Sequence, residues 1–118
     1  MKLQAVPIFR IHDYAQAISF YTGFLGCKID WEHRFRQDAP VYMQVSKNGL
    51  MLQLTENTRF ETGVIIFVET EGIRELHIEL LNKKSTFKVP EVTLTSWNTK
   101  QMELEDPFGN LLRFNENS

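Results

Sequence analysis

Few side chains in this sequence are equipped for covalent or metal chemistry, and their spacing decides against most of them. Each of the three histidines has a carboxylate nearby: His12 beside Asp13, His33 beside Glu32, and His77 between Glu75 and Glu79. Asp13 falls where a strand gives way to a helix and reads as the helix N-cap. His33 and Glu32 are strand neighbours and face opposite sides, while neither glutamate shares a helix face with His77. All three histidines are assigned structural or surface roles, and no metal site is expected. General acid/base work would rest on Glu103 or Glu56, with His33 as a further partner, but no pattern brings a pair to catalytic distance. Cys27, the single cysteine, follows Gly26 and opens an apolar-alternating run, so it reads as a small packed residue. There is no Gly-x-Ser-x-Gly elbow and no glycine-rich phosphate loop, and no catalytic residue is assigned.

What the sequence does offer is a set of polar residues at alternating strand positions. In Leu50-Met51-Leu52-Gln53-Leu54-Thr55 the leucines share one face, leaving Met51, Gln53 and Thr55 on the other. Leu112 and Phe114 form the apolar face of a terminal strand, with Leu111 and Arg113 opposite. Met102 and Leu104 leave Gln101 and Glu103 opposite, and Phe9 and Ile11 leave Val6, Ile8 and Arg10. Leucine-rich faces pack against helices, so Gln53, Gln101, Glu103, Arg113 and Arg10 are expected to converge on a cavity, where polar groups orient a small molecule.

The elements that must hold these residues follow from the hydrophobic period. Leu3 to Ile11 alternates as a strand, Tyr14 to Leu25 carries apolar residues at helical spacing, and Gly26 stops the helix. Strands over Cys27 to Phe35, Val41 to Ser46 and Leu50 to Thr55 come next, the last two joined by a Lys47-Asn48-Gly49 hairpin loop. After Asn57 to Thr62 the order repeats: strand Gly63 to Glu69, helix Ile73 to Leu81, and strands near Phe87 to Leu94, Gln101 to Leu104 and Leu111 to Phe114. The chain is βαβββ written twice, an α+β fold with halves at about 1–57 and 62–118 of one domain. One half alone leaves a curved sheet with a bare face; two close around a common cavity with the helices outside.

With 118 residues and a formal charge of −2, the chain has no cluster of basic residues able to neutralise several phosphates, and nucleic acid is not expected as a partner. Lys83-Lys84 reads as a solvated helix end. No basic-then-apolar leader opens the sequence and no apolar run reaches membrane length. One free thiol suits a reducing compartment, and a cytoplasmic location is expected.

Two motifs carry a family resemblance. Glu105-Asp106-Pro107-Phe108-Gly109-Asn110 reads as a tight turn feeding a terminal strand, with proline at the second position of a type I turn and Gly109 free to take a positive φ. With Ser19-Phe20-Tyr21-Thr22-Gly23-Phe24-Leu25-Gly26 and Leu52-Gln53-Leu54-Thr55-Glu56-Asn57, it resembles the glyoxalase/bleomycin resistance group of the vicinal oxygen chelate superfamily, over nearly the whole chain. Metal-dependent members hold a divalent ion at four inward strand positions, which fall here on Val6, Gln53, Val64 and Arg113. Valine has no donor atom and arginine is a permanent cation, so the resemblance implies a metal-free member without a cofactor.

The bleomycin resistance branch supplies the functional expectation: a metal-free homodimer that sequesters a flat cationic antibiotic in shared grooves. The resemblance places ligand contacts at Phe35, Tyr42, Phe60 and Trp97, beside the strand residues Gln53, Gln101, Glu103 and Arg113. Trp31 is a further candidate for the groove, with core packing in an alternating strand the preferred expectation, and Trp97 is left open between groove and core. The charge of the inward set is mixed, which leaves open a metabolite sensor binding an anion through Arg113; a metal-dependent lyase or dioxygenase with another ligand set is the other alternative.

Overall fold

The computed structural model describes all residues from 1 to 118. By its internal contacts the chain divides into two compact units, Met1–Thr62 and Gly63–Ser118. Both units run βαβββ, and each builds one mixed four-stranded sheet in which the first strand lies parallel beside the last.

In the first unit β1 (Ile8–Arg10) leads into α1 (Tyr14–Ile18), followed by β2 (Lys28–His33), β3 (Tyr42–Lys47) and β4 (Leu50–Thr55), in the sheet order β1-β4-β3-β2. Asp13 caps α1 as the sequence implies, its carboxylate accepting from Gln16 N at 3.0 Å. Past Ile18 the helix widens into a π-helical segment, Ser19–Phe24, and the Leu25 N–H reaches back to Phe20 O at 2.8 Å. Gly26, at φ 87°, ends it. Phe20, Tyr21 and Phe24 are buried as one aromatic cluster, with Phe20 edge-on to Tyr21 at 5.0 Å between ring centres.

Strand pairing sets which residues share a face. Phe9 and Met43 both pair with Leu54, and Val45 with Leu52, all fully buried. The hairpin between β3 and β4 turns on two residues, Asn48 and Gly49, with φ of 48° and 92°, the type I′ geometry that suits an Asn-Gly pair.

The second unit repeats the plan: β5 (Ile65–Glu69), α2 (Ile73–Leu81), β6 (Thr93–Leu94), β7 (Thr99–Glu105) and β8 (Leu111–Asn117), ordered β5-β8-β7-β6. Helix α2 packs on β7 and β8. Met102, Leu104, Leu112 and Phe114 are buried on one face of that pair, as alternation requires. Asp106 N donates to Asn110 O at 2.8 Å and Gly109 sits at φ 88°, closing the turn read from the Asp-Pro-Phe-Gly-Asn motif.

Two strands are shorter than their alternation suggests. The expected strand Leu3 to Ile11 narrows to Ile8–Arg10: Pro7 has no N–H to give, and its carbonyl, accepting from Gln53 N at 2.9 Å, begins the pairing. The expected strand Phe87 to Leu94 is reduced to Thr93–Leu94, downstream of Pro90. No helix is long and apolar enough to cross a membrane.

Candidate functional site

The first sheet carries its polar side chains on the face opposite the buried leucines. Tyr42 Oη donates to Gln53 Oε1 across the β3–β4 pair. Gln53 Nε2 donates to Gln44 Oε1 at 3.1 Å, and Gln44 Nε2 to Asp30 Oδ2 at 3.0 Å. Ser46 Oγ donates to the other Asp30 oxygen at 2.8 Å, and Lys28 Nζ lies 4.0 Å from it. The hydrogen bonds from Gln44 and Ser46, with a smaller contribution from Lys28, hold the Asp30 carboxyl below its ordinary range. Gln44 Nε2 also lies 3.7 Å from Met51 Sδ.

A β-bulge puts Asp30 there. Pairing between β2 and β3 passes from Ile29↔Val45 directly to Trp31↔Gln44, leaving Asp30 unpaired. The extra residue also reverses the side on which Trp31 emerges. Uninterrupted alternation would put Cys27, Ile29 and Trp31 on one face; instead Ile29 pairs with the buried Val45 and Trp31 with Gln44, and Trp31, 38% exposed, meets Tyr42 edge-on at 5.2 Å. The core assignment of Trp31 is therefore corrected. His33 pairs with Tyr42, and the Phe35 ring stands edge-on to His33 at 5.5 Å, so Trp31, His33 and Phe35, from the edge strand β2 and just past it, form an aromatic row beside Tyr42 of β3. Glu32, facing the other way, accepts a hydrogen bond from the Tyr14 hydroxyl. That hydrogen bond, then burial and the carboxylate's charge, raises the Tyr14 pKa.

An open recess of about 750 Å³ lies at the Asp30 end of this face, lined by Gln4, Gly26, Lys28, Asp30, Gln44, Ser46, Lys47, Met51 and the Asn48-Gly49 turn. None of the eight ligand residues expected from the sequence lines it. Gln44 connects the recess to Gln53 and Tyr42 by hydrogen bonding.

The remaining expected residues fall into separate places. Phe60 is 42% exposed; its carbonyl accepts from Arg10 Nη1 at 3.1 Å, and the Arg59 guanidinium lies 5.0 Å from its ring centre. In the second unit Glu103 and Arg113 pair across β7 and β8, with Arg113 Nε donating to Glu103 Oε1 at 3.0 Å. Gln101 Nε2 donates to Asn115 Oδ1 at 3.1 Å, two residues along on the same face. Phe67 pairs with Arg113 and is 56% exposed. Trp97 sits in the β6–β7 turn, 66% exposed. Tyr42 and Gln53 are thus joined on the first sheet and Gln101, Glu103 and Arg113 grouped on the second. Asp30 and Gln44 join the first group through the bulge, which leaves no mark on the hydrophobic pattern.

A family model described as glyoxalase superfamily protein matches residues 2–118. The chain belongs to the glyoxalase superfamily. No curated protein sequence matches it. Among solved structures similar to this glyoxalase-superfamily chain is a bleomycin-binding protein complexed with bleomycin, at 21% identity and a TM-score of 0.73, covering 99% of this chain and 100% of that one. Another is a bleomycin resistance determinant encoded on the transposon Tn5, at 21% identity and 0.75, covering 99% of each chain. TnmS3, an antibiotic-binding protein from Streptomyces sp. CB03234, matches at 20% identity and 0.70 over 100% of this chain and 99% of that one. At these identities the likeness is one of fold.

The four residues onto which the resemblance carries the superfamily's metal positions are poor ligands by their own chemistry. Val6 and Val64 have no donor, Arg113 is a cation engaged with Glu103, and Gln53 Oε1 already accepts from Tyr42. No three His, Cys, Asp or Glu side chains gather elsewhere in a group that could hold a metal.

Proposed function

We propose that this chain is a metal-free small-molecule binding protein of the bleomycin resistance type, which sequesters an antibiotic or similar ligand in a groove completed by a second copy of itself. The observation that carries this reading is the face of the first sheet, where a half-exposed Trp31 stands against Tyr42 beside polar groups fixed by one another. An aromatic surface next to preorganised hydrogen-bonding groups binds a flat ligand at low entropic cost. Two of the similar structures bear names that tie them to bleomycin and a third to an antibiotic, which agrees with this choice. The donor set at the superfamily's metal positions favours capture over metal-assisted turnover.

Bleomycin is the first ligand to titrate, followed by other planar antibiotics, with thermal unfolding and native mass spectrometry as readouts. A ligand at one hundred times its Kd raises stability by about 2.7 kcal/mol. The expected result is a dimer that carries the ligand and returns it with unchanged mass. A ligand returned chemically altered would overturn sequestration, and a monomer with full affinity would remove the shared groove.

A further inference from the structure

The hydrogen bonds on the first sheet run in one direction, and a single residue fixes that direction. An ionised carboxylate accepts and never donates. Asp30 therefore requires the amide nitrogen of Gln44 to face it, which turns Gln44 Oε1 toward Gln53. Gln53 must answer with its own nitrogen, leaving its oxygen toward Tyr42, and Tyr42 must donate its only hydroxyl proton there. The order Tyr42 to Gln53 to Gln44 to Asp30 follows from this chemistry alone.

Both N–H groups of Gln44 are engaged, one with Asp30 Oδ2 and one directed at Met51 Sδ. Gln53 has spent one of its two N–H groups on Gln44. At the far end, next to Trp31, the face thus offers an N–H donor from Gln53 beside the lone pairs of Tyr42 Oη, now available only as an acceptor.

We propose that this end of the sheet binds the lactam edge of a planar heterocycle: a ring N–H donating to Tyr42 Oη, the adjacent carbonyl accepting from Gln53 Nε2, and the ring packed on Trp31. The chemical class is a flat ring bearing neighbouring donor and acceptor in that order. Gln44 and Asp30 are positioning residues: their polar groups are engaged within the network, and they act by orienting Gln53. The inference rests on the binding function proposed above and specifies its ligand.

The test uses three probes of one shape: 2-quinolinone, which has the lactam edge, N-methyl-2-quinolinone, which lacks the donor, and naphthalene, which lacks both groups. Affinities are measured by NMR titration of the intact protein, following the Trp31 indole and the Gln44 and Gln53 side-chain amides. The lactam should bind about tenfold tighter than its N-methyl analogue, the worth of one net hydrogen bond. Tyr42→Phe, which removes the acceptor, and Gln44→Leu, which frees Gln53 to rotate, should each bring the lactam and its N-methyl analogue to equal affinity within the variant. Thermal unfolding confirms that both variants are folded. Equal affinities for the lactam and its analogue would overturn the inference, as would a preference that survives both variants, perturbation confined to other residues, or no binding of any probe. Bleomycin titrated in parallel separates the two claims: if it binds while the lactam shows no preference, this inference alone falls, and if neither it nor the other antibiotics bind, the binding function falls as well.

Discussion

At the scale of single residues, the turn that reads most plainly in the sequence proves to be a structural staple. Asp106 accepts from the backbone N–H groups of Phe108 and Asn110, at 2.9 and 2.8 Å. Its other oxygen accepts from Asn110 Nδ2 at 3.0 Å. Asn110 Oδ1 in turn accepts from Gly63 N and Val64 N, at 3.1 and 3.2 Å, fastening the turn to the chain leading into β5. The positive φ of Gly109 was legible because only local sterics demand it. The fastening was not, because it joins residues far apart in sequence. Replacing Asn110 with alanine removes the side-chain acceptor of two backbone N–H groups and one of the donors to the Asp106 carboxylate, and should cost about 2 kcal/mol in urea unfolding. Asn57→Ala is the control, since Asn57 accepts from Arg59 N at an exposed site. If both variants cost the same, the staple is not what holds the turn. Trp31 teaches a related lesson at this scale. Its place on the face was lost from the sequence by one unpaired residue, Asp30, because alternation records parity and a bulge changes parity silently.

At the scale of elements, α2 shows what a sequence gives and what it withholds. Its bounds, Ile73–Leu81, agree with the hydrophobic period, since Ile73 and Leu80 are the residues it buries. Its start could not be read in the same way. Gly72 stands at the N-cap in the left-handed region, at φ 86°, with no side chain to offer. The cap comes instead from β8: Glu116 accepts from Gly72 N at 3.1 Å and from Ile73 N at 3.0 Å, one carboxylate oxygen each. These two N–H groups hold its pKa below the ordinary glutamate value. A carboxyl whose folded pKa is lowered contributes in full above its unfolded value and loses that contribution as the pH falls through the folded one. Glu116→Gln keeps the shape but weakens the cap, so amide exchange in the first turn of α2 should quicken at neutral pH. The difference between variant and parent should narrow as the pH drops below the ordinary glutamate range. A difference that stays constant into acid would mean that the charge is not what the helix feels. β1 and β6 mark the opposite limit: their alternation runs on past Pro7 and Pro90, whereas their ladders do not.

At the scale of the whole molecule, the order of elements carried further than any single motif. Two βαβββ units were legible because helix and strand periods alternate twice along the chain, and each unit's sheet repeats the same strand order. The units differ in what they present. The first offers an aromatic row and a polarised set of amides; the second offers the Glu103–Arg113 pair with Gln101 and Asn115. The binding function proposed for this chain rests on stacking and hydrogen bonds from these side chains. Binding of that kind makes a prediction about metal. Dialysis against EDTA should change neither the unfolding temperature nor the affinity for bleomycin or another antibiotic that binds, and elemental analysis after purification without added metal should find far less than one transition metal per chain. Ligands for a structural or catalytic ion would have to come from three or four N, O or S donors, and Val6, Val64 and Arg113 supply none. If EDTA lowered the affinity and zinc, nickel or manganese restored it, the donor set would have to lie outside the superfamily's positions, and the function would have to be sought in turnover.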